Sequence, residues 1–252
     1  MPEASGRLRV LVIAPYLNGD GLGEVYSIFQ LVETLAREVD LTVLTVNNGK
    51  IDLAAQLPAA RVVTFTEPAW LNARFRRINM LAKPWMPVFF AQARRWLKAA
   101  RAAGSTWDVA HQVLPQAMRY ASPLRGLGIP YVIGPLGGSL ETPEAFRAEV
   151  DGGGLLTRLR GLDRLRLRHD PWLRHGLEDA SVVLGVAPYI AETLAGTGVA
   201  VQRFEPFLER AHEGAVPEVT RTSGPGEAHL LHVGRGVRTK GLRDVVRALA
   251  RL

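Results

Sequence analysis

Short apolar runs alternate along this sequence with stretches in which apolar residues recur at helical spacing. Residues 8–14 are almost wholly apolar and end at Pro15, as expected of a strand buried on both faces of a parallel sheet. Apolar positions from Leu22 to Val39 then follow the period of a helix. The same criteria predict strands at 41–46, 61–65, 109–114, 131–134 and 182–186, and helices within 70–103, at 116–125, within 155–178 and at 188–194. This alternation predicts an α/β fold built on a doubly wound parallel sheet, Rossmann-like, with right-handed crossovers.

The pattern divides the chain into three parts. Residues 1–208 hold the predicted sheet and form the first domain, and residues 209–228 are rich in glycine and proline and read as a linker. Residues 229–252 contain an apolar run at 230–233 and an amphipathic helix, which together predict the first strand and helix of a second Rossmann-like domain. One strand and one helix cannot bury both of their faces. This tail must therefore dock elsewhere, stay mobile or belong to a domain that the chain lacks.

Composition narrows the class of protein. The chain has 252 residues and no cysteine, which excludes a disulfide scaffold, a thiolate metal site and a thiol nucleophile. Its histidines have no zinc-ligand spacing, and no apolar run is long enough to span a bilayer. The polar N-terminus has no apolar signal core. These features predict a soluble, cytoplasmic protein.

A net charge of +7 favours anionic partners. Much of the charge lies in two basic blocks, at 74–101 and 158–174, where arginines alternate with apolar residues at helical spacing. Solvated helix faces are the favoured interpretation, and contact with an anionic membrane at its inner face is the alternative. The charge is not accompanied by a nucleic-acid-binding motif, so no nucleic-acid partner is expected.

Three predicted strands end in residues suited to a ligand site. Gly21 and Gly23 follow the first strand, His111 lies on the strand at 109–114, and Gly137 and Gly138 follow the next strand. Ligands of open α/β sheets bind at the carboxyl ends of strands, and glycines let the backbone approach them closely. The first loop lacks the third glycine of the dinucleotide fingerprint, which disfavours a nicotinamide cofactor. The alternatives are simple strand-to-helix turns and a structural histidine.

A basic motif follows the apolar run at 230–233. Gly234 and Arg235 come first, and Lys240 and Gly241 precede the last predicted helix. Free amides at a helix N-terminus bind phosphate, and the two cations would strengthen that site. The alternative is a basic surface loop.

Taken in order, these motifs resemble family four glycosyltransferases of the GT-B fold. The resemblance is carried by the loop Gly21–Gly23 with Glu24, by residues 107–111 and 133–138, and by Gly234, Arg235, Lys240 and Gly241. It implies that residues 1–208 are a GT-B N-terminal, acceptor-side domain and that the tail begins a nucleotide-sugar-binding domain. It also implies sugar transfer from a nucleotide-sugar donor to a sugar or lipid-linked acceptor, with retained anomeric configuration and no cofactor or essential metal.

The resemblance also assigns roles to single residues. It implies that His111 contacts the reacting sugar and that Gly21 and Gly23 line the cleft near the phosphates. Arg235 and Lys240 would stabilise the leaving diphosphate, because fixed cations favour the charge that grows on it.

Two features depart from the family pattern. The first loop reads Gly-Leu-Gly where adjacent glycines are usual, and the family's donor-contacting glutamate pair does not occur before residue 252. We therefore expect a truncated, hexosyltransferase-like enzyme that does not turn over alone. Two alternatives stay open, a non-catalytic acceptor-binding half of a split enzyme and a protein resembling sugar-nucleotide epimerases.

Overall fold

The structure is a computed structural model. It describes residues 6–47, 49, 51–67, 85–138, 155–207, 224, 229–234 and 240–251, and of 155–161 only the backbone. The chain forms two compact units, one of Met1–Leu140 with Arg158–Arg210 and the other of Glu141–Thr157 with Ala211–Leu252.

The first unit is built on one sheet of seven parallel strands. The spatial order is β3-β2-β1-β4-β5-β6-β7, so the chain runs outward from β1 to one edge and then returns to build the other side from β4. The strands are β1 (Arg9–Ile13), β2 (Asp40–Val46), β3 (Ala60–Phe65), β4 (Val109–Gln112), β5 (Tyr131–Leu136), β6 (Val182–Gly185) and β7 (Phe204–Pro206). The predicted doubly wound, Rossmann-like parallel sheet is confirmed.

Seven helices lie within the described residues. They are α1 (Glu24–Glu38), α2 (Leu53–Gln56), α3 (Met86–Ala102), α4 (Leu155–His169), α5 (Pro171–Glu178), α6 (Tyr189–Gly196) and α7 (Leu242–Leu249). None of the helices in this part of the chain is both long and apolar enough to cross a membrane.

The sheet is buried on both faces because side chains along β1 alternate between two cores. Val10 and Val12 join a core with the apolar side of α1, and Leu11 and Ile13 join a second core with α3, α5 and α6. This two-sided burial explains why residues 8–14 read as a continuous apolar run instead of an alternating one.

The predicted helix at 116–125 is wrong. These residues form turns and an isolated bridge instead. Pro115 precedes the segment and Pro123 lies within it, and a proline disfavours helix in the residue before it. The Arg94 guanidinium donates to the carbonyl oxygens of Pro123 (2.8 Å) and Arg125 (2.6 Å), which gives these acceptors a partner outside any helix.

The predicted strand at 230–233 is also not formed, although the following helix is present as α7. A strand needs a neighbour to pair with. Leu230, Leu231 and Val233 are instead largely exposed. The predicted linker at 209–228 lies outside the described residues except for Gly224. Residues 70–84 of the helical stretch predicted within 70–103 also lie outside them.

Candidate functional site

A cavity of about 250 Å³ opens at the carboxyl edge of the sheet. Its wall comes from the first residue of α1, the loop after β4 and the loop after β5. Strands β2 and β3 are added on one side of β1, and strands β4 to β7 are added on its other side. The strand order therefore switches between β1 and β4, and open α/β sheets bind ligands at such switch points. The lining residues are Glu24, Pro115, Gln116, Ala117, Arg119, Tyr120, Gly137 and Gly138.

The first glycine loop leads into this wall. The Gly21 amide donates to the Asn18 carbonyl oxygen over 3.1 Å, and a Cβ at Gly21 would lie only 3.0 Å from that oxygen. Gly23 has a φ of +62° and caps α1, so it sets the direction in which Glu24 enters the cavity wall. Gly21 and Gly23 themselves are not lining residues, and the loop contributes through Glu24.

The loop after β5 meets the loop after β4 directly. The Gly137 amide donates to the Gln116 carbonyl oxygen over 2.8 Å. A Cβ at Gly137 would lie 3.2 Å from both Gln116 Oε1 and Val186 Cγ2, which is tighter than ordinary packing. The Tyr189 hydroxyl donates to the Gly138 carbonyl oxygen over 3.0 Å and ties this loop to α6. Both predicted glycines therefore lie in the cavity wall.

His111 lies on β4, paired in register with Val12 of β1 and Val132 of β5. Its Nε2 is 2.8 Å from the Gly134 carbonyl oxygen. Because a carbonyl can only accept, Nε2 carries the proton of the neutral ring and Nδ1 is left as an acceptor. Burial lowers the pKa of His111 to about 4, against a smaller opposing effect of the bond to Gly134. His111 is thus neutral near pH 7, and it is not one of the cavity-lining residues.

Helix α4 supports the loop after β4 through an ion pair. Arg119 Nη2 lies 2.9 Å from Asp163 Oδ2, and the Asp163 side chain is 7% exposed. Arg166 of the same helix donates from Nη1 to the Arg119 carbonyl oxygen over 2.6 Å. Because α4 contacts both the side chain and the backbone of Arg119, the guanidinium has a fixed position in the cavity wall.

Tyr120 gives the cavity an aromatic component. Its ring makes an edge contact with Phe90 of α3 at a centroid distance of 6.2 Å. Burial raises the pKa of Tyr120, so its hydroxyl is protonated near pH 7. With Glu24, Gln116 and Arg119, the wall presents a carboxylate, an amide, a guanidinium and a phenol. This mixture of donors and acceptors suits a ligand with several hydroxyl groups.

Sequence reasoning did not identify Gln116, Arg119 or Tyr120 as site residues. The segment is predicted as a helix, and although the i, i+3 and i+4 spacing would place these side chains on one helix face, it does not relate that face to the loop after β5. Their position directly after a buried strand of a parallel sheet was the available signal.

The predicted diphosphate motif lies in the second unit. Gly234 and Lys240 are exposed, and a Cβ at Gly234 would lie 3.7 Å from Lys240 Cβ. Gly241 has a φ of +71° and caps α7, which leaves that helix N-terminus without a side-chain cap. Arg235 lies outside the described residues. The structure thus brings Gly234 and Lys240 together.

Several arginines of the basic blocks have structural partners. Arg174 donates to the carbonyl oxygens of Leu167, Thr197 and Gly198 and pairs with Glu178 at 3.0 Å, so it joins the ends of α4 and α6. Arg94 holds the turns after β4, as described above. Within the described residues, no three His, Asp or Glu side chains are grouped as metal ligands.

Solved structures similar to this chain include Anabaena Alr3699/HepE in complex with UDP (12% identity, TM-score 0.43, covering 80% of this chain and 44% of that chain). A second is E. coli trehalose-6-phosphate bound with UDP-2-fluoro glucose (10% identity, TM-score 0.43, covering 79% of this chain and 48% of that chain). A third is Phytolacca americana UGT2 complexed with UDP-2fluoro-glucose and pterostilbene (15% identity, TM-score 0.39, covering 71% of this chain and 48% of that chain). This chain spans less than half the length of each. No curated protein matches it significantly.

One protein family matches most of the chain. Residues 23–207 match the glycosyl transferase 4-like domain, which covers the sheet from the start of α1 to the end of β7. Every residue that lines the cavity falls within this match. Because the match spans well over half of the chain, the protein belongs to the glycosyl transferase 4-like domain family, as its strand-end motifs predicted.

Proposed function

We propose that this chain provides the acceptor-side cleft of a retaining glycosyltransferase that moves a sugar from a nucleotide-sugar donor to an acceptor hydroxyl. The observation that carries this proposal is the cavity at the switch point of the sheet, whose polar wall belongs to a glycosyltransferase-family domain. Its volume of about 250 Å³ lies just below the range typical of ligand pockets, about 300 to 1,000 Å³, which suits a single sugar ring better than an extended molecule.

The residues of the cavity wall supply both hydrogen-bond acceptors and hydrogen-bond donors to such an acceptor sugar. Glu24 and Gln116 accept hydrogen bonds from hydroxyl groups, and Arg119 and Tyr120 donate to hydroxyl oxygens. The bare Gly137 and Gly138 allow a ring to lie against the backbone. The acceptor is thereby oriented with one hydroxyl toward the donor.

The donor is a nucleotide sugar in this proposal. His111 Nδ1 accepts a hydrogen bond from a hydroxyl of the reacting sugar, and Lys240 with Arg235 binds the diphosphate. As the sugar gains oxocarbenium character, negative charge grows on the leaving diphosphate, and fixed cations favour that state. Such cations supply the charge stabilisation for which other transferases use a metal ion.

The test is sugar binding to the purified chain and to a variant with a filled cavity. Ala117 lines the cavity, so Ala117→Trp should fill much of it, whereas Ala99→Trp places the same ring on the exposed side of α3 as a matched control. Saturation-transfer NMR would screen mono- and disaccharides, and calorimetry would measure nucleotide sugars such as UDP-glucose.

We expect at least one acceptor sugar to bind the parent chain. Ala117→Trp should weaken that binding by about tenfold or more, while Ala99→Trp should leave it unchanged, since each lost 1.4 kcal/mol is tenfold in affinity. The proposal is wrong if no sugar or nucleotide sugar binds, or if the filled cavity binds as well as the open one.

A further inference from the structure

One side chain from a neighbouring element holds the first glycine loop. Gln56 is the last residue of the short helix α2, which the sequence did not predict. Its Oε1 accepts from the Gly19 amide over 3.1 Å, and its Nε2 donates to Asp20 Oδ2 over 3.0 Å. The amide group thus makes one bond to the loop backbone and one to a loop side chain.

The helix that carries Gln56 is itself anchored. Asp52 Oδ1 accepts from the Ala55 amide over 3.0 Å and caps α2, and the Asp52 carbonyl oxygen accepts from the Gln56 amide over 3.1 Å. Leu53 is 2% exposed and packs in the core with α1. Gln56 therefore projects from a fixed backbone.

The first glycine loop is also held by hydrogen bonds between its own residues. The Asp20 amide donates to Asn18 Oδ1 over 2.8 Å, and the Gly21 amide donates to the Asn18 carbonyl oxygen over 3.1 Å. A Cβ at Gly19 would lie 2.9 Å from Phe29 Cε1, so the loop packs directly onto α1 at this point. These bonds shape the turn, and Gln56 fixes the turn against the rest of the fold.

We propose that Gln56 is a positioning residue for the glycine loop and, through Gly23 and Glu24, for one wall of the cavity. Glycines give a loop many conformations, and ordering such a loop when a ligand binds would cost affinity. By ordering the loop in advance, Gln56 removes part of that cost. This effect on ligands rests on the proposed function, whereas the ordering of the loop does not.

The polarity of the contact allows a rescue experiment. Gln56→Glu keeps an acceptor for the Gly19 amide but places a second carboxylate against Asp20, which is unfavourable. Adding Asp20→Asn reverses the contact, since the asparagine amide now donates to the glutamate. Gln202→Glu is a matched control, because Gln202 Nε2 donates to the Glu178 carbonyl oxygen on another part of the fold.

Amide hydrogen exchange at residues 18–23 measures loop order in each variant. We expect exchange there to rise about tenfold in Gln56→Glu, to return close to the parent rate in the double variant and to stay unchanged in Gln202→Glu, with the thermal midpoint preserved throughout. The affinity for the cavity-binding sugar should fall about threefold to tenfold in Gln56→Glu and recover in the double variant.

Unchanged exchange in Gln56→Glu, or a double variant that is no better than the single one, would overturn the positioning role. A loosened loop with an unchanged sugar affinity would overturn its role in binding. If the parent chain binds no sugar, the proposed function fails, and the exchange comparison alone still decides whether Gln56 orders the loop.

Discussion

At the scale of single residues, His111 shows how a fold sets the chemistry of a side chain. The ring is placed on the central strand β4, with its Nε2 on the Gly134 carbonyl oxygen. Burial keeps its pKa near 4, well below the ordinary value, so the ring is an uncharged acceptor across the neutral range. The sugar contact proposed for His111 would therefore be made by a neutral ring.

The lowered pKa of His111 predicts acid sensitivity. In the unfolded chain the ring takes up a proton near pH 6.5, whereas the folded ring does so only near pH 4. The unfolded state therefore binds more protons between these values, and stability is lost as pH falls from 6.5 toward 4, by roughly 2 to 3 kcal/mol in total.

Urea unfolding at pH 7 and pH 4.5 measures this loss. His111→Gln keeps a donor for the Gly134 carbonyl oxygen but cannot titrate, so the parent should lose about 2 kcal/mol more than the variant between the two pH values. Equal losses, or an NMR titration of His111 centred near pH 6.5, would show that the ring is not held neutral by the fold.

Residue identities explain which site members the sequence could predict. Gly137 and Gly138 stand out because a pair of glycines directly after an apolar run indicates a backbone that a ligand can approach closely. Gln116, Arg119 and Tyr120 are ordinary polar residues of a loop, and neither spacing nor composition distinguishes them from solvated positions. These three residues are recognised as part of one cavity wall only because the loops after β4 and β5 contact each other in the structure.

At the scale of elements, segments with a clear apolar pattern were predictable from the sequence, including the short strands β4 and β6. β1 is a continuous apolar run and α1 follows a helical period, and the structure has both of them, together with β2, where the pattern predicts. The helix α2 and the strand β7 are too short for a period to emerge. At 116–125 the sequence predicted a helix that does not form. The apolar spacing there is helical, but tertiary contacts such as those of Arg94 determine the conformation of the segment.

The junction of β5 and β6 offers a direct test of element packing. Gly134 has a φ of +126°, and a Cβ there would collide with the Leu184 carbonyl oxygen of β6. Gly134→Ala should therefore lower the free energy of unfolding by about 3 kcal/mol or more, since both strain and a backbone clash oppose it.

Gly196 provides the matched control for this change. It is the last residue of α6, and a Cβ there would meet no atom within 4 Å. Gly196→Ala should be neutral or stabilising by up to about 1 kcal/mol, because alanine favours helix. Chemical denaturation of the two variants tests the packing, and a Gly134→Ala protein as stable as the parent would contradict it.

At the scale of the whole molecule, strand order determines where the cavity forms. The strands β1, β4 and β5 are neighbours in the sheet although β1 and β4 are separated along the chain by α1, β2, α2, β3 and α3. Their carboxyl ends therefore converge, and the loops that follow them build one polar wall. The sequence predicted parallel strands and their glycine loops, but spatial neighbours cannot be read from chain order alone.

The two predicted halves of the site fall in separate compact units. The cavity belongs to the unit of the seven-stranded sheet, and Gly234 and Lys240 belong to the other unit. The acceptor side of the proposal can thus be examined on the first unit's own residues. The central claim of the proposed function is that the loops after β1, β4 and β5 form one ligand site.

Hydrogen exchange with and without a bound sugar tests this claim most directly. The chain would be saturated with the acceptor sugar that binds it best, and exchange would be followed along the whole sequence. We predict that the amides of residues 18–24, 116–120 and 137–138 become protected together, while those at the amino edge of the sheet are unchanged. Protection confined to another surface, with these three loops unaffected by a bound sugar, would contradict the account.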